Sequence, residues 1–182
     1  MYRVILNLLL VLYGFSFART SEKLPLPEEL QAEELPWFAF EVKNGEGTYK
    51  EVINNGKLKN IVKRRNSERV VFAFFTTWCV PCREGLKLLG EKSAELKERK
   101  ILVVLVNVGE SDYVKVEKFI KRYTGEGWLL VFDKFGNLPR DFGLTVQNGE
   151  MPLPRTLILD SNLRPLILIG EEGKDYPQVL WK

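Results

Sequence analysis

Val70-Val71-Phe72-Ala73-Phe74-Phe75-Thr76-Thr77-Trp78-Cys79-Val80-Pro81-Cys82-Arg83 joins an apolar run to a pair of cysteines two residues apart. Val70 to Phe75 is a continuous apolar run, the pattern of a strand with both faces covered. Pro81 suits the first turn of a helix, where its missing N–H costs nothing. A buried strand therefore runs straight into a helix, and Cys79 stands at or just before the helix N-terminus. Unpaired backbone N–H groups there favour a thiolate and lower the pKa of that thiol. Cys79 is expected to be solvent-accessible and nucleophilic, with Cys82 one turn deeper as the resolving thiol. Three residues apart on a helical turn, their Cα atoms lie about 5–6 Å apart, within disulfide range. Such a pair exchanges two electrons through a mixed disulfide on Cys79, which Cys82 then attacks.

Outward from this stretch, strands and helices alternate. Leu86, Leu88, Leu89 and Leu96 predict a long helix from Pro81 to about Lys100. Ile101–Val106 is a second buried strand, and Val116, Phe119 and Ile120 mark an amphipathic helix over Tyr113–Tyr123. Leu129–Phe132 is a short strand, and the turn-rich 133–149 region holds a short helix near Pro139–Phe142. Thr156–Leu159 and Pro165–Ile169 form a hairpin turned by Asp160-Ser161-Asn162. Upstream, Trp37–Val42 reads as a strand, with a turn at Asn44-Gly45-Glu46-Gly47, and Leu58, Ile61 and Val62 set a helix over residues 57–65. The expected class is α/β: a central mixed sheet flanked by helices on both faces.

Composition narrows the chemistry. The 182 residues are 45% hydrophobic and 28% charged, which suits one domain. Lys plus Arg number 27 and Asp plus Glu 24, a balance that argues against nucleic acid as a partner. There is no histidine, which excludes Ser-His and Cys-His catalytic pairs and histidine-ligated metals. Cys79 and Cys82 are the only cysteines, so a disulfide framework and a four-cysteine metal site are excluded too, and no metal is expected. Two other uses of the pair stay open on the residues alone. One is a structural cross-link, although closing so short a loop stabilises by only about 2 kcal/mol. The other is copper or zinc capture, with Met151 as a conceivable third ligand.

The N-terminus reads as an export signal over residues 1–18: Arg3, an apolar run from Val4 to Phe17, and small residues at Ser16 and Ala18. A retained anchor is the alternative. Residues 19–36 carry three prolines and five glutamates and are expected to form an exposed acidic linker to a domain at 37–182.

Trp78-Cys79-Val80-Pro81-Cys82-Arg83, Val106-Asn107-Val108-Gly109-Glu110-Ser111 and Pro152-Leu153-Pro154-Arg155-Thr156 occur in one order and resemble the thioredoxin superfamily, specifically extracytoplasmic TlpA/ResA-type thiol–disulfide oxidoreductases. The likeness covers about residues 37–170. It implies a thioredoxin-like fold with no cofactor. It also implies a cis Pro154 facing the thiols, with the backbone of Leu153 open to a docking peptide and Trp78 an apolar platform beside Cys79. Val80 and Pro81 would tune the reduction potential. The implied role is an exported monomeric reductant of specific protein disulfides, as in cytochrome c maturation, recharged by a membrane thiol electron carrier. Two readings compete: a peroxidase, since Thr76 precedes Cys79 by three residues although Phe72 stands where that motif needs proline, and a non-enzymatic module whose thiols only capture a partner or a metal.

The chain departs from the resemblance in its acids. Ala73 takes the place of the buried acid of thioredoxins, Gly85 that of the acid three residues after the second cysteine in the ResA-like group, and Lys87 that of a helix-kinking proline. The proton acceptor for Cys82 is thus unassigned. Glu84 and Glu110 are candidates, each with a solvated-charge reading beside it. The tail from Glu171 is short for a last helix, which predicts thin cover over one sheet face.

Overall fold

The computed structural model describes residues 20–43, 46–125, 127–146 and 148–181. In chain order these hold β1 (Lys23–Leu24), a 3-10 turn (Glu28–Leu30), β2 (Ala39–Lys43), β3 (Tyr49–Asn54), α1 (Asn55–Arg64), β4 (Arg69–Phe75), α2 (Val80–Glu91), α3 (Ser93–Glu98), β5 (Ile101–Val108), α4 (Tyr113–Ile120), β6 (Leu129–Asp133), α5 (Asn137–Asp141), β7 (Arg155–Asp160), β8 (Pro165–Ile169) and α6 (Tyr176–Val179). The main sheet runs β1-β8-β7-β4-β5-β6, and β2 and β3 form a separate antiparallel pair. β4 pairs parallel with β5 and antiparallel with β7, so Ala73 stands beside both Leu105 and Thr156.

The apolar run is buried on both faces because alternate residues point to opposite cores. Phe72 and Phe74 face one core with Val104 and Leu157, where Phe38, Phe72 and Phe142 meet edge to face. Val71, Ala73 and Phe75 face the other, with Leu86 and Leu89 of α2, Val116 of α4 and Tyr176 of α6. Helix starts follow their caps: Asn54 accepts from the Lys57 N–H at 2.9 Å, and Asp112 from that of Lys115 at 2.9 Å.

Four expectations change. The segment from residue 20 to 36 is docked rather than an exposed linker. Lys23 and Leu24 pair with Ile169 and Leu168, and Leu30 and Leu35 lie in the core. Its few leucines bury enough apolar surface to outweigh a proline- and glutamate-rich composition. The expected strand near residue 37 gains a partner, β3, which buries only Ile53 and so lacks a strand-like apolar run. The predicted long helix breaks at Lys92 (φ −102°, ψ 12°), where α2 ends and α3 begins. The short tail does cover its face, since Tyr176 and Leu180 are fully buried. The expected export signal and the first half of the Asn44–Gly47 turn lie outside the described residues. Among those described, no helix is long and apolar enough to cross a membrane.

Candidate active site

α2 begins where β4 ends, and Cys79 caps it: its backbone is extended (φ −72°, ψ 105°) and its Sγ accepts the Cys82 N–H at 3.2 Å. Pro81 occupies the first turn. Cys79 and Cys82 are joined in a disulfide, with Cα atoms 5.3 Å apart. The expectation of an accessible Cys79 needs correction for this oxidised form, since Cys79 is 5% exposed and Cys82 2%. The sulfur folds back over the helix N-terminus, where it meets the Cys82 amide. Exposure belongs instead to its neighbours, Trp78 at 67% and Val80 at 61%.

The loop before the disulfide is clamped. Glu110 accepts from the Thr77 N–H (2.7 Å), the Thr77 hydroxyl (2.6 Å) and Asn107 Nδ2 (2.7 Å). Arg83 reaches back along α2 and donates from Nε (3.3 Å) and Nη2 (2.9 Å) to the Thr77 carbonyl. Glu110 is therefore a loop anchor with its oxygens engaged, and the solvated reading of it does not hold. Glu84 does point to solvent.

Leu153–Pro154 is cis, the isomer implied by the resemblance. Val80, Pro81, Leu153 and Pro154 line one cavity of about 590 Å³, so the two separated motifs share a concave surface. Trp78 opens on the other side onto a groove with Arg83, Lys115, Lys118 and Arg122. Met151 is half-buried against the core, and among the described residues no group of three His, Cys, Asp or Glu is placed to hold a metal.

One acid beside this site escaped the sequence reading. Glu172, in the segment after β8, accepts from Thr156 Oγ1 at 2.9 Å, and Thr156 Oγ1 lies 2.7 Å from the Tyr176 hydroxyl. Burial pushes the Glu172 carboxyl up to about 7, against the opposing pull of hydrogen bonds from Thr156 and Tyr176. The Tyr176 phenol is fully buried beside it and raised well above its ordinary value by that burial and by the Glu172 charge. The only sequence signals were the vacancies: alanine at 73 and glycine at 85.

A model of the AhpC/TSA family matches residues 34–164. Thiol-disulfide oxidoreductase ResA of Bacillus subtilis (strain 168) is 29% identical over 91 residues, which make up 50% of this chain and 46% of that protein. The chain thus matches a little under half the length of that relative. Among solved structures, a DsbF homologue from Corynebacterium diphtheriae superposes with a TM-score of 0.60 at 19% identity, covering 91% of this chain and 93% of that one. AhpC of Enterococcus faecalis gives 0.61 at 17% identity, covering 84% and 89%. At such identities the superpositions establish the thioredoxin-like fold.

Proposed function

The chain belongs to the AhpC/TSA family, and from that premise we propose that it is a thiol–disulfide oxidoreductase acting through Cys79 and Cys82. The observation that carries the reading is the Cys79 sulfur on the α2 N-terminus, bonded to Cys82 and receiving its amide N–H, beside a cavity shared with the cis Leu153–Pro154 bond. In the reduced protein the same amide and the helix dipole stabilise a Cys79 thiolate. The thiolate attacks a target disulfide and expels one target sulfur. Cys82 then attacks Cys79, so the intramolecular disulfide forms and the second target sulfur leaves; the pair is oxidised by two electrons and the target reduced by two. Trp78 and the Leu153 backbone flank the approach of a target peptide, and Val80 and Pro81 set the potential. The likeness to ResA supports this chemistry over a structural cross-link.

The physiological role proposed is reduction of specific protein disulfides outside the cytoplasm, for example during cytochrome c maturation, by a monomer recharged by a membrane thiol carrier. The test is trapping with Cys82→Ser in the native compartment, together with a redox titration of the pair. Mixed disulfides on Cys79 and a potential well below about −200 mV are expected of a reductase. A potential near −120 mV would make the protein an oxidant, and rapid consumption of peroxide by the reduced protein, with nothing trapped, would make it a peroxidase.

A further inference from the structure

Resolution of a mixed disulfide requires Cys82 to lose its proton, yet this residue is 2% exposed and needs an acceptor within the fold. Gly85 stands three residues along α2 from Cys82, on the same side of the helix, where Cβ positions are about 5–6 Å apart. The space that Gly85 leaves open is filled by a carboxylate from elsewhere. A Cβ at Gly85 would collide with Oε2 of Glu172 and lie 3.3 Å from its Oε1. Thr156 on β7 and Tyr176 on α6 hold that carboxylate from behind. Glu172 is half-buried and lines the cavity shared with Pro81 and Pro154, which gives it an exit to solvent.

We propose that Glu172, delivered by the segment between β8 and α6, is the proton acceptor for Cys82. The proposal rests on the exchange chemistry assigned above to the cysteine pair. The Cys82 S–H bond breaks and its proton passes to a Glu172 oxygen, directly or across one solvent molecule from the cavity. The electron pair left on Cys82 Sγ forms the bond to Cys79 as the Cys79–target bond breaks. The target sulfur leaves as a thiolate and is protonated from the cavity. Neither other acid near the cysteines can take this proton as readily, since Glu84 is exposed and Glu110 is committed to Thr77 and Asn107. The titratable and charged groups around Glu172 are Tyr176 from α6, Glu84 from α2, Arg155 from β7, and Glu22, Glu171 and Lys174 at the cavity. Arg155 is engaged with the carbonyls of Pro154 and Gly170.

The test uses the reduced full-length protein and glutathione disulfide as oxidant, with acid quenching across a pH range on both sides of neutrality. Both the mixed disulfide on Cys79 and its decay to the intramolecular disulfide are followed. For the wild type the decay rate should rise with pH on a limb centred near 7, the value to which burial brings Glu172. Glu172→Gln keeps the volume and the Thr156 hydrogen bond; it should lose the limb and slow decay at neutral pH by about 10²-fold. Returning a carboxylate to the same spot from the helix, in Glu172→Gly with Gly85→Glu, should restore a limb that no purely structural role would restore. A folded Glu172→Gln protein with the wild-type limb and rate would overturn the proposal while leaving the exchange chemistry intact. A wild type that never forms the mixed disulfide would overturn both.

Discussion

Two glutamates flank β4 where it delivers the cysteines, and they have opposite surroundings. Glu110 lies past the end of β5 and meets donors on every side: an amide N–H, a hydroxyl and a side-chain amide, all within 2.7 Å. Glu172 lies on the β7 side and meets only two hydroxyl-bearing residues, and burial holds its proton to about 7 rather than the ordinary 4.5. The residue type is the same, and the donors decide what it does. Full satisfaction makes Glu110 an anchor for the Thr77–Trp78 loop, whereas partial satisfaction leaves Glu172 able to exchange a proton near neutrality.

Substitutions at and between the two glutamates separate their roles. The largest effect falls between the two glutamates: Cys79→Ser should reduce disulfide exchange to background, whereas Cys82→Ser should leave attack intact and accumulate mixed disulfides, both visible on non-reducing gels. Next, Glu110→Ala removes an anchor and strands buried donors, so thermal or urea unfolding should show a loss of about 2–4 kcal/mol, without removing the pH limb of the exchange rate. Arg83→Lys keeps the charge but not the two-pronged contact with the Thr77 carbonyl, and should cost about 1 kcal/mol in the same measurement.

A pH-dependent effect on stability is expected at Glu172. Its carboxyl titrates near 7 in the folded protein and at 4.5 when free, so the folded state holds a proton through that window that the unfolded state has released. Stability contributed by the protonated form is therefore complete below about pH 4.5 and is lost as pH rises through 7. Glu172→Gln has no such titration, so its melting temperature should exceed that of the wild type above neutrality, and the gap should close in acid. An opposite ordering would mean that the carboxylate is stabilised rather than strained where it lies.

Legibility in the sequence followed the same division. β4, β5 and the start of α2 could be read because Val70–Phe75 and Ile101–Val106 are unbroken apolar runs and because Pro81 fixes a helix start. β1 could not, since two residues carry no period, and Lys23 and Leu24 find their place only through β8. β3 was hidden because Tyr49, Lys50 and Glu51 show no apolar alternation, and Ile53 is its one buried residue. The break at Lys92 interrupts a leucine pattern that continues unaltered into α3. At the site, the cysteine pair and the Pro152–Pro154 segment were legible as motifs. Glu172 was not, because its role depends on a tertiary contact with Gly85 across a long stretch of chain, and a glycine announces only that a space is left open.

Whether the α2 N-terminus makes Cys79 a reactive thiolate is read from the pH dependence of alkylation of reduced Cys82→Ser protein with iodoacetamide. Modification at Cys79 is expected with an apparent ionisation well below that of a free cysteine, near 8.5. A thiol that resists the reagent after reduction, or that ionises no more readily than free cysteine, would contradict it.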